Sequence, residues 1–277
     1  MVRVEMMAVG KELLIGRTMN SNAHWVGKRL ALLGSMIKEI TTVDDDLEEI
    51  GAAIVAALDR NPDFLVVVGG LGPTPDDMTV KGVARGIGVG VRRNSRALAL
   101  IKEHYANRGT ASVELTPARL KMASLPVGSE PLRNEVGTAP GVRLVTGNTA
   151  VFCLPGVPAE MRSIFRGSVE PEVRSKLGRI YRTYVRMKLL GVLESALAPA
   201  LKAELGKHPG AYIKSHPRGI REGVSRIELD IAVIGRDPER TVAEGEEIAH
   251  DMVRAVVELG GKVESVKGLK EGGRRWT

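Results

Sequence analysis

The apolar positions alternate between short runs and longer stretches of helical period. Phe64-Leu65-Val66-Val67-Val68 is an unbroken, β-branched run, the pattern of a strand buried on both faces of a parallel sheet. Residues 2–9, 36–43 and 150–154 also read as strands. Between them, Trp25, Val26, Leu30 and Leu33 recur at helical spacing up to Gly34, behind Ser21 or Asn22 as cap. Asp46 with Glu49 makes a capping box for a helix through Leu58. A further helix starts after Thr79, capped by Asp77 or Thr79, and residues 94–108 and 116–124 read as helices. Three strand–helix repeats at the start of the chain imply right-handed crossovers and a three-layer α/β domain with a mostly parallel sheet.

The pattern changes around Pro171 to Gly178. Strands at 182–190, 211–215, 224–234 and 262–266, with helices at 192–206 and 237–259, describe a smaller α+β domain. The expected division is residues 1–175, residues 180–266 and a basic, Gly-rich, disordered tail at 267–277. Lys214 to Gly219 reads as a basic turn between strands, able to lean onto a phosphate.

Composition narrows the function classes. Hydrophobic content of 43% and charged content of 26% are ordinary for a globular chain. No apolar stretch approaches the ~20 residues of a membrane span, so no membrane partner is expected. The N-terminus is too short and mixed for a signal peptide, and a single cysteine, Cys153, excludes an intramolecular disulfide; both fit a cytoplasmic protein. The net charge of +7 permits nucleic-acid binding, but with 3% aromatics and no dominant basic run nucleic acid is not expected as the main partner. The five histidines show no zinc-ligand pairing. The dinucleotide GxGxxG, Walker and GxSxG patterns are absent.

Candidate chemistry gathers at Gly69-Gly70-Leu71-Gly72-Pro73-Thr74-Pro75-Asp76-Asp77-Met78-Thr79, at the carboxyl end of a strand, where open α/β sheets bind ligands. Gly70 and Gly72 let the backbone approach a ligand and expose N–H groups that, with a helix N-terminus, favour phosphate. Asp76 and Asp77 would repel a bare phosphate and make sense with a divalent cation between. Asp44 and Asp45 follow another strand at the same sheet edge, so distant acidic loops can converge there. The loop after the first strand carries Glu12, Asn20 and Asn22. Thr138, in a Gly/Pro loop, is either part of a tight hairpin or a phosphate contact; Leu154-Pro155-Gly156-Val157-Pro158-Ala159-Glu160-Met161 is a second strand–loop–helix anion site.

Four strings in order carry a resemblance: GxELLxGxxxxxN at Gly10–Asn22, GGLGPTxDDxT at Gly69–Thr79, VGTAPG at Val136–Gly141 and LPGVPxEM at Leu154–Met161. They resemble the N-terminal molybdopterin-binding-like (MoaB/MogA/MoeA-type) domain of the CinA family over about residues 1–175; residues 180–266 resemble, more weakly, the small α+β domain that follows it. No segment resembles the amidase domain of longer members, so pyridine-nucleotide deamidation is not expected. Lys11 stands where an uncharged residue is usual, and Asp44 where glycine is usual. The resemblance implies a MogA-like fold, a homo-oligomer (dimer or trimer) and a pyrophosphatase that hydrolyses ADP-ribose or FAD to AMP with Mg2+, Co2+ or Mn2+. Asp45 and Asp77 fall on the catalytic aspartates, and Asp45, Asp76 and Asp77 would hold the metal. Glu12, Asn20, Gly70, Gly72, Thr74, Thr138, Gly156 and Glu160 would bind the nucleotide. Adenylyl transfer to molybdopterin, and a non-catalytic nucleotide- or molybdopterin-binding role, are the alternatives.

Overall fold

The computed structural model describes residues 2–107 and 116–270. Its first unit, Met1–Gly178, begins with β1 (Val4–Val9), α1 (Lys11–Leu14), α2 (Ser21–Leu32), β2 (Ile37–Val43), α3 (Leu47–Asp59), β3 (Phe64–Val68) and α4 (Thr79–Ile87). An excursion follows: β4 (Val91–Arg93), α5 (Ser95–Ala106), α6 (Pro117–Met122) and β5 (Ser124–Pro126). The unit closes with β6 (Glu130–Leu132), β7 (Gly141–Thr146), β8 (Thr149–Leu154), α7 (Pro158–Ile164), a π-helical turn (Phe165–Val169) and α8 (Glu170–Leu177). The central sheet runs β2-β1-β3-β8-β7-β6; the first four strands are parallel, and β7 and β6 add antiparallel pairs.

Both sheet faces are covered, as the apolar runs require. Met7, Leu65, Val67, Val151 and Cys153 face one core with Ile50, Ile54, Val83 and Ile101 of the helices. Met6, Phe64, Val66 and Phe152 face the other with Val26, Leu30, Met161 and Phe165. Cys153 is buried, and burial pushes its thiol up to about 12, so it packs as an inert apolar side chain. The register matches Ala8 with Val68 and Val68 with Leu154, so the loops after β1, β3 and β8 leave from one edge, beside the loop after β2.

The second unit, from Arg179 onward, holds β9 (Tyr181–Leu190), α9 (Glu194–Lys207), β10 (Tyr212–Arg221), β11 (Val224–Gly235), α10 (Pro238–Glu258) and β12 (Lys262–Lys270). The sheet β10-β11-β9-β12 is antiparallel, and the β-α-β-β-α-β order is that of a split βαβ fold.

Several expectations change. The chain from Pro158 remains helical to Leu177, through Pro171, where the sequence pattern changes. Pro171 lacks an N–H and would crowd the carbonyl four residues back in a regular helix; the wider π turn just before it relieves that conflict. The expected turn at Lys214–Gly219 lies inside β10, and the reversal falls at Glu222-Gly223, both at positive φ. Pro217 is tolerated because β10 is an edge strand, with an irregularity between Pro217 and Ile220. The segment 267–270, expected as tail, completes β12, paired with β9; residues 271–277, and residue 108 at the end of an expected helix, lie outside the described residues. Among the described residues no helix is long and apolar enough to cross a membrane.

Glu170 fastens α8 to α2. It is 6% exposed and accepts from Arg29 Nε (2.6 Å) and Nη2 (2.8 Å) and from Arg174 Nε (3.0 Å). Burial alone would raise its carboxyl, but the bonds from Arg29 and Arg174 outweigh it and hold the group below the usual glutamate range. A depressed carboxylate stabilises the fold above its unfolded value of about 4.3 and loses that contribution as pH falls through the folded value. Glu170→Gln is therefore expected to cost about 1.5–3 kcal/mol at pH 7 and markedly less at pH 3. Urea unfolding of both proteins at the two pH values checks this; an equal difference at both would refute it.

Candidate functional site

The site grows from the turn after β3. Gly69 has φ +114°, and a Cβ there would overlap the carbonyl oxygen of Val9 at the end of β1. Gly70, at φ +62°, leaves the space taken by the Thr79 hydroxyl. The fully buried Thr79 donates its hydroxyl to Gly69 O (2.8 Å) and its N–H to Gly70 O (3.2 Å). Neither Asp77 nor Thr79 caps α4: the cap position is Met78, with no side-chain hydrogen bond. The helix start thus keeps donors of its own.

Asp77 turns back into its loop. Its Oδ2 accepts from the Thr74 N–H (2.8 Å) and hydroxyl (2.6 Å), and it lies against Gly72, where a Cβ would come within 2.6 Å of the same oxygen. Thr74 is therefore committed to Asp77. Lys121, from α6, donates its ammonium to the Thr74 carbonyl and feels the charges of Asp77 and Asp76. Burial lowers its pKa, Asp77 opposes that, and neighbouring Lys81 adds to it.

Asp45 lies beside the loop after β1 and accepts from the Lys11 N–H (2.9 Å). Burial raises its carboxyl; the Lys11 bond opposes this, and Glu12, Asp44 and Asp76 reinforce it. The two residues expected to depart from the resembled pattern meet: Lys11 Nζ is 3.3 Å from Asp44 Oδ2, so this cation and this anion offset each other. Among the described residues no three His, Cys, Asp or Glu side chains gather as an ion would require, and Asp45 and Asp77 are engaged in separate loops, so Asp45, Asp76 and Asp77 do not fit as a closed metal cage.

Asn134, which no motif marks, ties the loop that carries Thr138 to Glu160. Asn134, 8% exposed, donates to Ala139 O (2.9 Å) and Glu160 Oε2 (2.7 Å), and its oxygen accepts from the N–H groups of Val136 (3.1 Å) and Gly137 (2.9 Å). The Glu160 carboxylate fills the space where Gly137 has no Cβ. Asn20, expected at the nucleotide, caps α2 through Ala23 N (2.9 Å), the role expected of Ser21 or Asn22. Asn22 instead donates to Gly156 O (2.8 Å), and its buried Oδ1 has no hydrogen-bond partner among the described residues.

Two cavities adjoin at Gly156. The larger, about 480 Å³, opens between Gly70–Pro73, Asp77, Thr138, Pro155–Val157 and Glu160, with Tyr105 and Met122 from the excursion on its wall. The smaller, about 120 Å³, is lined by Glu12, Thr18–Asn22 and Gly69. Of the expected binding residues, Gly70, Gly72, Thr138, Gly156 and Glu160 line the first, and Glu12, Asn20 and Gly156 the second. Thr74, Asp45 and Asp76 line neither. Lys121 and Tyr105 were invisible to motif reasoning because they stand on α6 and α5, a long way along the chain from the glycine loop; only the fold returns them to it.

Asp77→Ala removes the acceptor of the Thr74 amide. Hydrogen exchange at that amide is expected to accelerate at least about tenfold, the equivalent of one charge-assisted hydrogen bond, while the protection of β3 is unchanged. Unaltered exchange at Thr74 would show that Asp77 does not hold the loop.

The chain is 41% identical to a Metallosphaera sedula protein over 264 residues, covering 95% of this chain and 97% of that one. It is 39% identical to an Aeropyrum pernix protein, covering 94% and 96%. The crystal structure of the protein CinA, of unknown function, from Thermoplasma acidophilum is 43% identical and superposes with a TM-score of 0.56, covering 61% of this chain and 98% of that one. Residues 5–175, which carry both cavities and every loop around them, match the probable molybdopterin binding domain, and the chain belongs to that family.

Proposed function

We propose that this chain is an enzyme of the molybdenum-cofactor type that transfers an adenylyl group to a phosphorylated pterin. The observation that carries this reading is the pair of cavities joined at Gly156. A transferase must hold a donor and an acceptor side by side, and the larger cavity lies within the ~300–1,000 Å³ of small-molecule sites. The family's description supplies the pterin. The glycine loop and the uncapped start of α4 offer N–H groups to phosphate oxygens. Lys121 supplies a cation beside them, and Tyr105 an aromatic wall for a flat ring system.

In the step itself, a phosphate oxygen of the pterin attacks the α-phosphorus of ATP. The bond from that phosphorus to the bridging oxygen breaks, and pyrophosphate leaves with the electron pair. Positioning of the two ligands and stabilisation of the equatorial oxygens supply most of the rate. Lys121 neutralises charge on the leaving pyrophosphate, and Asn134 with Glu160 holds the Thr138 loop against the acceptor.

A second reading, hydrolysis of ADP-ribose or FAD to AMP, draws on one further observation. Asp45 accepts from the Lys11 N–H next to Glu12, which lines the smaller cavity, and in this reading its carboxylate takes a proton from attacking water. A pyrophosphatase needs no second ligand, so the two readings separate experimentally.

The deciding assay supplies ATP with and without molybdopterin, and separately ADP-ribose or FAD, each with magnesium, manganese or cobalt. Pyrophosphate release that requires the pterin, with Lys121→Ala raising the KM for ATP at least about tenfold (the value of one charged contact), is the expected outcome. AMP from ADP-ribose or FAD without pterin would transfer the assignment to hydrolysis. Tight ligand binding with no turnover would overturn both.

A further inference from the structure

The second unit leaves one face of its sheet open. Val185, Met187 and Leu189 of β9 and Ile227, Leu229 and Ile231 of β11 point to the side where α9 and α10 pack. The alternate residues point the other way, and among the described residues no helix of this unit covers them. Across that face, Tyr184, Ala232 and Tyr212 form one row over three strands. The next row is Arg186, Asp230 and Lys214, and the one beyond is Lys188, Glu228 and His216. A cavity of about 280 Å³ opens at the end of these rows, lined by Lys188, Arg218, Arg221 and Arg226 with Glu228 and Glu264.

Charge on this face is unbalanced. Each of the three carboxylates has an arginine: Asp230 with Arg186 (2.7 Å), Glu228 with Arg218 (2.7 Å) and Glu264 with Arg226 (3.9 Å). Lys188, Lys214 and Arg221 make no ion pair among the described residues, so a net positive strip remains. Tyr212 is 55% exposed, a large cost in wetted aromatic surface if nothing ever covers it. Its ring and that of Tyr184 lie two strands apart, roughly 10 Å, over the small side chain of Ala232.

We infer that this open face binds single-stranded RNA, with Tyr184 and Tyr212 stacking bases and Lys188, Lys214, Arg218 and Arg221 holding phosphates. A polyanion answers the unpaired cations, and a four-stranded sheet that carries the exposed Tyr212 beside the half-buried Tyr184, whose hydroxyl is held by Asp230 and whose ring lies under Arg186, is a platform on which unpaired bases stack. A duplex keeps its bases inside and cannot use the rings. The carboxylates set among the arginines would repel a plain polyphosphate, but they accept hydrogen bonds from ribose 2′-hydroxyls, which single-stranded DNA lacks. Whole-chain composition concealed this surface: aromatics are 3% of the sequence, yet two of its four tyrosines share one row.

The test is fluorescence anisotropy of the full chain with labelled 12-nucleotide oligouridylate, oligothymidylate and duplex RNA, at low and moderate salt. Oligouridylate is expected to bind with a Kd on the order of micromolar, weakening steeply with salt, and to bind several-fold tighter than the other two. Tyr212→Ala should weaken it about 5- to 150-fold, the worth of one stacked base. The double variant K188E/K214E should weaken it at least tenfold. Both substitutions are at exposed positions, and thermal unfolding confirms that each variant keeps its fold. No oligouridylate binding at low salt, an unchanged Kd in Tyr212→Ala, or equal binding of oligothymidylate would overturn the assignment. So would sedimentation showing a dimer that K188E/K214E dissociates while RNA goes unbound, since the face would then belong to a second copy of the chain. Activity at the first unit's cavities does not enter any of these readouts.

Discussion

Everything in the first unit depends on how closely β1 and β3 leave the sheet together. Gly69 lies so near the Val9 carbonyl that no side chain fits between them. That contact sends the chain into the Gly70–Gly72 turn, and the buried Thr79 hydroxyl then closes the turn by bonding back to Gly69. The start of α4 is thereby fixed beside the sheet edge. The Pro155–Pro158 loop arrives at the same edge because β8 is in register with β3, and Gly69 N donates to Leu154 O (3.0 Å). Both cavities border this junction. A parallel sheet offers the crevice, but a glycine with positive φ makes it usable.

Much of the fold was legible in the sequence because its strands are buried on both faces. An unbroken apolar run such as Phe64–Val68 has few other solutions, and its observed limits match the run. Caps were harder to read. Around Asn20, Ser21 and Asn22 any of three side chains has the chemistry to cap α2, and only the path of the loop selects Asn20 and frees Asn22 to reach Gly156. The site shows the same division. The glycines were identifiable because a backbone requirement selects one residue type. For the carboxylates the sequence leaves two readings open, since an aspartate beside a turn serves equally as ligand or as loop anchor; in the fold Asp77 holds Thr74. Asn134 bonds within its own loop to Val136, Gly137 and Ala139, as any turn asparagine can, and only the tertiary structure brings Glu160 to its amide.

Paired departures are informative in a different way. Lys11 and Asp44 are the two residues expected to depart from the resembled pattern, and singly each would alter the charge of the site. Their 3.3 Å contact makes the two changes one change, with little net effect on the field beyond them. In the second unit, hairpin chemistry explains the one misplaced turn. His216-Pro217-Arg218-Gly219 has turn-like composition, but Glu222-Gly223 supplies two residues at positive φ, which a two-residue reversal needs. The longer hairpin that results extends β10 and β11 and carries Arg218 and Arg221 out along the open face.

The order of strands in the first sheet also has a consequence for the chain's synthesis. β3 ends at Val68, but the strand that covers its second edge begins only at Thr149. At about 5–20 residues per second, that edge waits on the order of several seconds for its partner. During that time Phe64–Val68 presents unpaired backbone groups on an apolar strand, the kind of surface that seeds intermolecular pairing. The second unit repeats the pattern: β10 and β11 adjoin across two residues, but β9 ends at Leu190 and the strand that covers its second edge begins only at Lys262. In the first unit the excursion between β3 and β8, which brings Tyr105 and Lys121 to the cavity, is what lengthens the exposure.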